Sequence, residues 1–116
     1  MQLLDYDALP VDENHRLALD YLADRQFFPA HEAWESAWRQ SKGTDDEEFF
    51  KGLSQLGAGY THYLRGNPAG AVTLLTRGIG RITRYGPMHR GVDISALAGA
   101  AGRGRKQCDS TLARER

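Results

Sequence analysis

Apolar residues recur along most of this chain at helical spacing, three and four residues apart. Leu17, Ala18, Tyr21 and Leu22 share one side of a segment over about 12–26, while Glu13, Arg16, Asp20 and Asp24 fall on the other. Asp12 is placed to cap that helix. A second helix is predicted over about 29–41. Pro29 suits its first turn, because the missing N–H would have had no intrahelical partner. Trp34 and Trp38 lie on one side of it with Ala30, Ala33 and Ala37 alongside, and Lys42-Gly43 ends it. Thr44 and Glu47 have capping-box spacing, and Asp45, Asp46, Glu47 and Glu48 all favour a helix N-terminus. A third helix follows over about 45–65. Phe49, Leu53, Leu56, Tyr60 and Leu64 form its apolar stripe, with Lys51, Ser54, Thr61 and Arg65 opposite.

Gly66-Asn67-Pro68 reads as a stop and restart. Gly66 takes the left-handed turn, Asn67 caps, and Pro68 opens a fourth helix over about 68–85. That helix buries Ala71, Leu74, Leu75, Ile79 and Ile82 and turns Arg77, Arg81 and Arg84 the other way; Gly86-Pro87 ends it. Asp93 caps a fifth helix carrying Ile94, Leu97 and Ala98, and the glycine- and arginine-rich chain beyond about 104 is predicted to fray. No period-2 pattern is long enough for a strand. The prediction is an all-α fold, a single compact bundle of about five helices forming one domain over 1–116. Its core spans 11–100. A lead over 1–10, with Leu3, Leu4, Tyr6 and Leu9, lies over the surface, and the tail over 104–116 is less ordered. Gly52, Gly59 and Gly66 repeat every seven residues, which suggests close backbone approach by another element. The glycine and alanine strips also permit a helix-mediated homodimer.

The chain of 116 residues is 41% hydrophobic and 26% charged, ordinary for a soluble protein. Fifteen basic and fifteen acidic residues cancel, but unevenly. Residues 1–64 hold twelve acids and five bases; residues 65–116 hold three acids and ten bases. No overall basic field exists for DNA. The simplest expectation is that the two halves compensate in the fold. A basic patch for RNA or another polyanion through Arg77, Arg81 and Arg84 is the alternative, weakened by the lack of aromatics among those arginines. The lone Cys108 permits no intrachain disulfide and fits a reducing compartment. The opening MQLLDYDALP has acids where a signal peptide needs bases, and no apolar run approaches the ~18 residues of a membrane span. The protein is expected in the cytoplasm, with no membrane partner.

The densest chemistry is FFPAHEAWESAW, residues 27–38. His31 and Glu35, four apart, meet on one helix face; Gln55 and His62 share a flank of the third helix. If those flanks face each other, two imidazoles, a carboxylate and an amide converge. Three readings follow. The first is a structural polar junction of His31, Glu32, Glu35, Trp38, Gln55 and His62 that fixes which helices pack, with no cofactor. The second is a divalent-metal site or an acid–base, hydrolase-type site using His31, Glu35 and His62. The zinc-protease motif fails because Glu35 stands where the second histidine belongs. No nucleophile stands out: Cys108 lies in the glycine-rich tail, and Ser36 and Ser54 have no obvious base. The third reading is the polyanion-binding module. The first is expected, without catalysis, and with the two tryptophans in the core.

Three ordered blocks, residues 27–38, FFKGLSQLGAGYTHYLRGNPAGAVTLL over 49–75 and RYGPMHRGVDISAL over 84–97, resemble domain-of-unknown-function family 309. That family pairs a His-Glu-x-x-Glu-x-x-Trp helix with a Gly-x-x-Gln helix ending in His and Gly-Asn. The resemblance covers about 15–97. It implies a compact all-α fold and no assigned activity. The matching positions are His31, Glu32, Glu35, Trp38, Gly52, Gln55, His62, Gly66 and Asn67. Gly57 and Gly59 depart from the pattern, standing where alanine-like residues are expected.

Overall fold

The computed structural model describes residues 4–115. Leu3, assigned to the surface lead, lies outside them. Five α-helices dominate the described residues: α1 Val11–Ala23, α2 Phe27–Gln40, α3 Glu47–Leu64, α4 Pro68–Ile82 and α5 Ile94–Arg114. A 3-10 turn over Tyr6–Ala8 precedes them and packs on α2. A second 3-10 turn, Thr83–Tyr85, and a two-strand hairpin of β1 Met88–His89 and β2 Val92–Asp93 join α4 to α5. Two-residue strands are too short to show a period in the sequence. Arg90 and Gly91 form the hairpin turn, both at positive φ.

Most helix ends follow the capping chemistry. Asn67 accepts the Gly70 N–H, Pro68 opens α4, and Asp93 accepts the Ala96 N–H. Gly66 sits at φ +76°, as its place after α3 requires. Two ends differ. Pro10, not Asp12, caps α1, and Asp12 falls in the first turn. α3 starts at Glu47, with Thr44 and Glu47 closing the preceding turn instead: the Thr44 hydroxyl accepts the Asp46 N–H and the Glu47 carboxylate accepts the Gly43 N–H.

α3 is the centre, packed by α2 on one side and α4 on the other; α1 backs α2, and α5 backs α4. Trp34, Phe49, Phe50, Leu53, Leu56, Leu75, Ile82 and Ile94 are fully buried. Glycine lets the helices meet backbone to backbone. A side-chain carbon on Gly78 would stand 2.8 Å from the Gly52 carbonyl oxygen, and one on Gly59 would strike Leu75. A side-chain carbon on Gly57 would come within 3.0 Å of the His31 backbone. The departures at Gly57 and Gly59 are therefore where α2 and α4 seat on α3. Gly52 and Gly59 of the seven-residue repeat are turned inward, while Gly66 has nothing within 4 Å and serves the turn after α3.

α5 continues as a helix beyond residue 104. Ala101 and Cys108, two turns apart, are both buried and carry the helix to Arg114. Among the described residues no helix is long and apolar enough to cross a membrane.

Candidate functional site

α2 presents His31 and Glu35 one turn apart on the face that meets α3. His31 Nε2 stands 3.1 Å from Glu35 Oε2. Its Nδ1 stands 2.9 Å from both the hydroxyl and the carbonyl oxygen of Ser54 on α3. With hydrogen on Nε2, the ring donates to Glu35 and accepts from the Ser54 hydroxyl. With hydrogen on Nδ1, it donates to the Ser54 carbonyl. Either way the ring joins α2 to α3.

Ser54, His31 and Glu35 thus form a hydroxyl–imidazole–carboxylate chain like a hydrolase triad's, but with the ring nitrogens exchanged, the hydroxyl on Nδ1 and the carboxylate on Nε2. Access is what it lacks. Ser54 is 3% exposed, sits in mid-helix, and its hydroxyl also reaches the His31 carbonyl oxygen at 3.3 Å. Glu35 alone of the three faces a cleft, of about 240 Å³, between α2 and the first 3-10 turn. Asp5, Asp7, Glu32 and Glu35 line that cleft, and Arg39 crosses it to bond Asp7 at 2.9 Å and Glu35 at 2.7 Å. The Ser36 hydroxyl and Arg39 hold the Asp7 carboxyl below its usual range. The one guanidinium pairs with two of the four acids, Asp7 and Glu35.

Gln55 and His62 do not join His31. Gln55 turns toward α4 and accepts from Arg81 Nη1 at 3.3 Å, while Arg81 Nε bonds Glu48 at 2.8 Å. His62 packs at the end of α3, its Nδ1 3.0 Å from Asn67 Nδ2. The reason is helix phase: Ser54, one residue earlier and so 100° away, takes the place facing α2. Ser54 was expected on the outer side of α3. The expected convergence of two imidazoles is therefore corrected to one imidazole and a serine. Among the described residues no three His, Cys, Asp or Glu side chains group closely enough to hold a metal ion. Glu32 is exposed. Trp34 is fully buried, whereas Trp38 is half-buried, its ring flanked by Lys42 and Lys51 at 5.9 and 5.1 Å. Arg77 and Arg84 are exposed, but Arg81 is committed to α3.

Beyond His31 and His62, sequence reasoning missed His15. His15 on α1 is buried; its Nδ1 accepts the Trp34 indole N–H at 3.0 Å, and its Nε2–H donates to the Arg90 carbonyl oxygen at 3.1 Å. These two bonds leave the ring neutral, and burial pushes its pKa down. His15 ties α1, α2 and the hairpin together. Outside it, Arg90 bridges Asp46 and Asp12, and His89 reaches Asp46 at 2.7 Å. Burial works to raise the Asp46 carboxyl, but the hydrogen bonds of His89 and Arg90 outweigh it and hold the carboxyl low.

Fold and geometry define a small all-α domain whose conspicuous motif is closed within its own helices. The chain belongs to the family described as Domain of unknown function (DUF309), whose model matches residues 15–74. That span runs from His15 through His31 and Ser54 into α4. No curated protein and no solved structure matches the chain.

Proposed function

We propose that the protein is a cytoplasmic, non-catalytic binding domain in which His31, Glu35 and Ser54 are structural and the ligand site lies elsewhere. The observation that carries this is the contrast in access. Ser54 is 3% exposed. A cavity of about 420 Å³, within the usual ~300–1,000 Å³ of ligand sites, opens at the other end of α2. Neither His31 nor Ser54 lines that cavity. The reading for metal or acid–base chemistry at His31, Glu35 and His62 loses support with His62 held at Asn67. The polyanion reading rests on Arg77 and Arg84 once Arg81 is paired with Glu48. The lone Cys108, buried in α5, fits a reducing compartment.

A fluorophosphonate probe and metal analysis test the proposal. The expected results are no adduct at Ser54 and no stoichiometric metal. An adduct lost in Ser54→Ala, or a metal lost in His31→Ala, overturns it. On the positive side, a neutral apolar probe, 2-naphthalenemethanol, is expected to shift the backbone amide resonances around Tyr60 and Gly104. Shifts only around Glu32 and Glu35 would place the site in the acidic cleft instead.

A further inference from the structure

The cavity of about 420 Å³ has a chemistry of its own. Phe27 and Tyr60 stack along its wall, ring centroids 4.8 Å apart and 25° from parallel. Leu75 of α4 completes the apolar wall, and the half-open Leu64 and Tyr63 of α3 stand at its edge, 65% and 44% exposed. Facing the apolar wall, α5 places Gly104, with the side chains of Arg103 and Gln107 on either side of it. A carbon placed on Gly104 would stand 3.6 Å from the Tyr60 ring and 3.8 Å from Leu75, pointing between them. The missing side chain leaves the space open.

Two arginines line the same cavity, Arg25 from the turn after α1 and Arg103 from α5. Among the described residues no carboxylate lines it. Among the described residues neither arginine forms an ion pair or a side-chain hydrogen bond, although residues 1–64 carry twelve acids against five bases. Burial raises the pKa of the Tyr60 phenol, and Arg103 lies near enough to offset part of that rise. Arg25 is held at φ +58°, a left-handed position that favours glycine. A neighbouring cavity of about 260 Å³ shares Phe27 and Leu64 and again contains an arginine, Arg65, and no carboxylate.

We propose that this cavity binds a small amphipathic anion, its aromatic or short acyl body against Phe27, Tyr60 and Leu75 and its carboxylate or phosphate head between Arg25 and Arg103. This rests on the reading of the protein as a binding domain. The guanidinium fork matches both kinds of head, and an apolar wall beside it selects against free inorganic anions. A neutral ligand would leave two arginines unanswered. A fully apolar one would forgo the strongest interactions the cavity offers.

Calorimetric titration of the full chain with 2-naphthoate, 1-naphthyl phosphate and neutral 2-naphthalenemethanol tests this. At least one anion is expected to bind tenfold or more tightly than the alcohol, and the stronger of the two identifies the head. Arg25→Gly relieves the left-handed position and removes the charge. It is expected to melt no lower than the parent, to lose tenfold or more in anion affinity, and to keep its affinity for the alcohol. Gly104→Leu fills the space and is expected to lose all three probes. Equal binding of alcohol and anions, or anion binding unchanged in Arg25→Gly, overturns the proposal while leaving a binding domain. Binding of none of the probes overturns both.

Discussion

The two ends of α2 solve opposite problems with similar materials. Toward its middle, His31, Glu35 and Arg39 are polar groups with partners inside the chain: Ser54 for the imidazole, Asp7 and Glu35 for the guanidinium. At its start, Phe27 and Phe28 are apolar groups left partly open, with Phe28 44% exposed and Arg65 stacked over it at 5.2 Å. In the stretch that looks chemical His31, Glu35 and Arg39 have partners, and only the Trp38 indole N–H is buried without one; the apolar surface at the start of the helix is left open. A buried polar group costs free energy unless it is paired, so folding draws such groups into internal networks. A ligand needs the reverse, groups that folding leaves unpaired. Unsatisfied interactions therefore point to function more directly than rare residue types do.

The comparison breaks most readily at His31. His31→Ala removes the link between α2 and α3 and leaves Ser54 without its imidazole partner. The expected loss is about 2 kcal/mol in urea unfolding, with probe binding at Phe27 and Tyr60 unchanged. A variant as stable as the parent would show that the junction does not hold the helices together.

His15, which ties α1, α2 and the hairpin, gives the fold's stability a pH signature. Burial lowers its folded pKa below the unfolded value of 6.5. The unfolded chain therefore binds more protons in that window, and stability falls as pH drops from about neutral toward the folded pKa. Above pH 7 the contribution is complete. Protonation of Nδ1 would also end its bond from Trp34. His15→Gln is expected to flatten the fall in melting temperature between pH 7.5 and 5. An unchanged slope would assign the pH response to groups other than His15.

The helices were legible because their ends carry explicit chemistry: Gly66, Asn67, Pro68 and Asp93 each stand where cap geometry needs them. Half of the junction was legible too, since His31 and Glu35 are four apart on one helix. Its other half was not. α3 is buried on two sides, and the side facing α2 is built from Ser54, Gly57 and Thr61 rather than from an apolar stripe. Small residues that seat a neighbour look, in sequence, like a solvent face. The length of α5 was hidden for the same reason, because Ala101 and Cys108 supply its buried face amid glycines and arginines. The ligand cavity needs Arg25, Tyr60 and Gly104 from three elements, and no local pattern links them.

Arg25 sharpens the comparison from the other side. A residue in the left-handed region costs roughly 1 kcal/mol over glycine, so Arg25→Gly should stabilise the fold by about that amount. Chemical denaturation reads the gain directly. A loss of stability would mean that Arg25 packs structurally, and the cavity would then resemble the junction rather than contrast with it.

The smallest effect tests where the junction ends. Glu35 is 38% exposed and shares its carboxylate between His31 and Arg39. Exposed pairs of this kind contribute only ~0.3–0.5 kcal/mol, because solvent screens them and two long side chains lose freedom. Glu35→Gln keeps an acceptor for one partner and removes the charge, so its expected cost stays within that range. If it does, the part of the motif that resists substitution is His31 with Ser54, and Glu35 is its solvent-facing edge. A cost approaching that of His31→Ala would mean instead that the imidazole and the carboxylate act as one unit. The cleft beside Asp7 and Glu32 would then belong to the junction, and the boundary between the closed and open regions of α2 would move outward to Arg39.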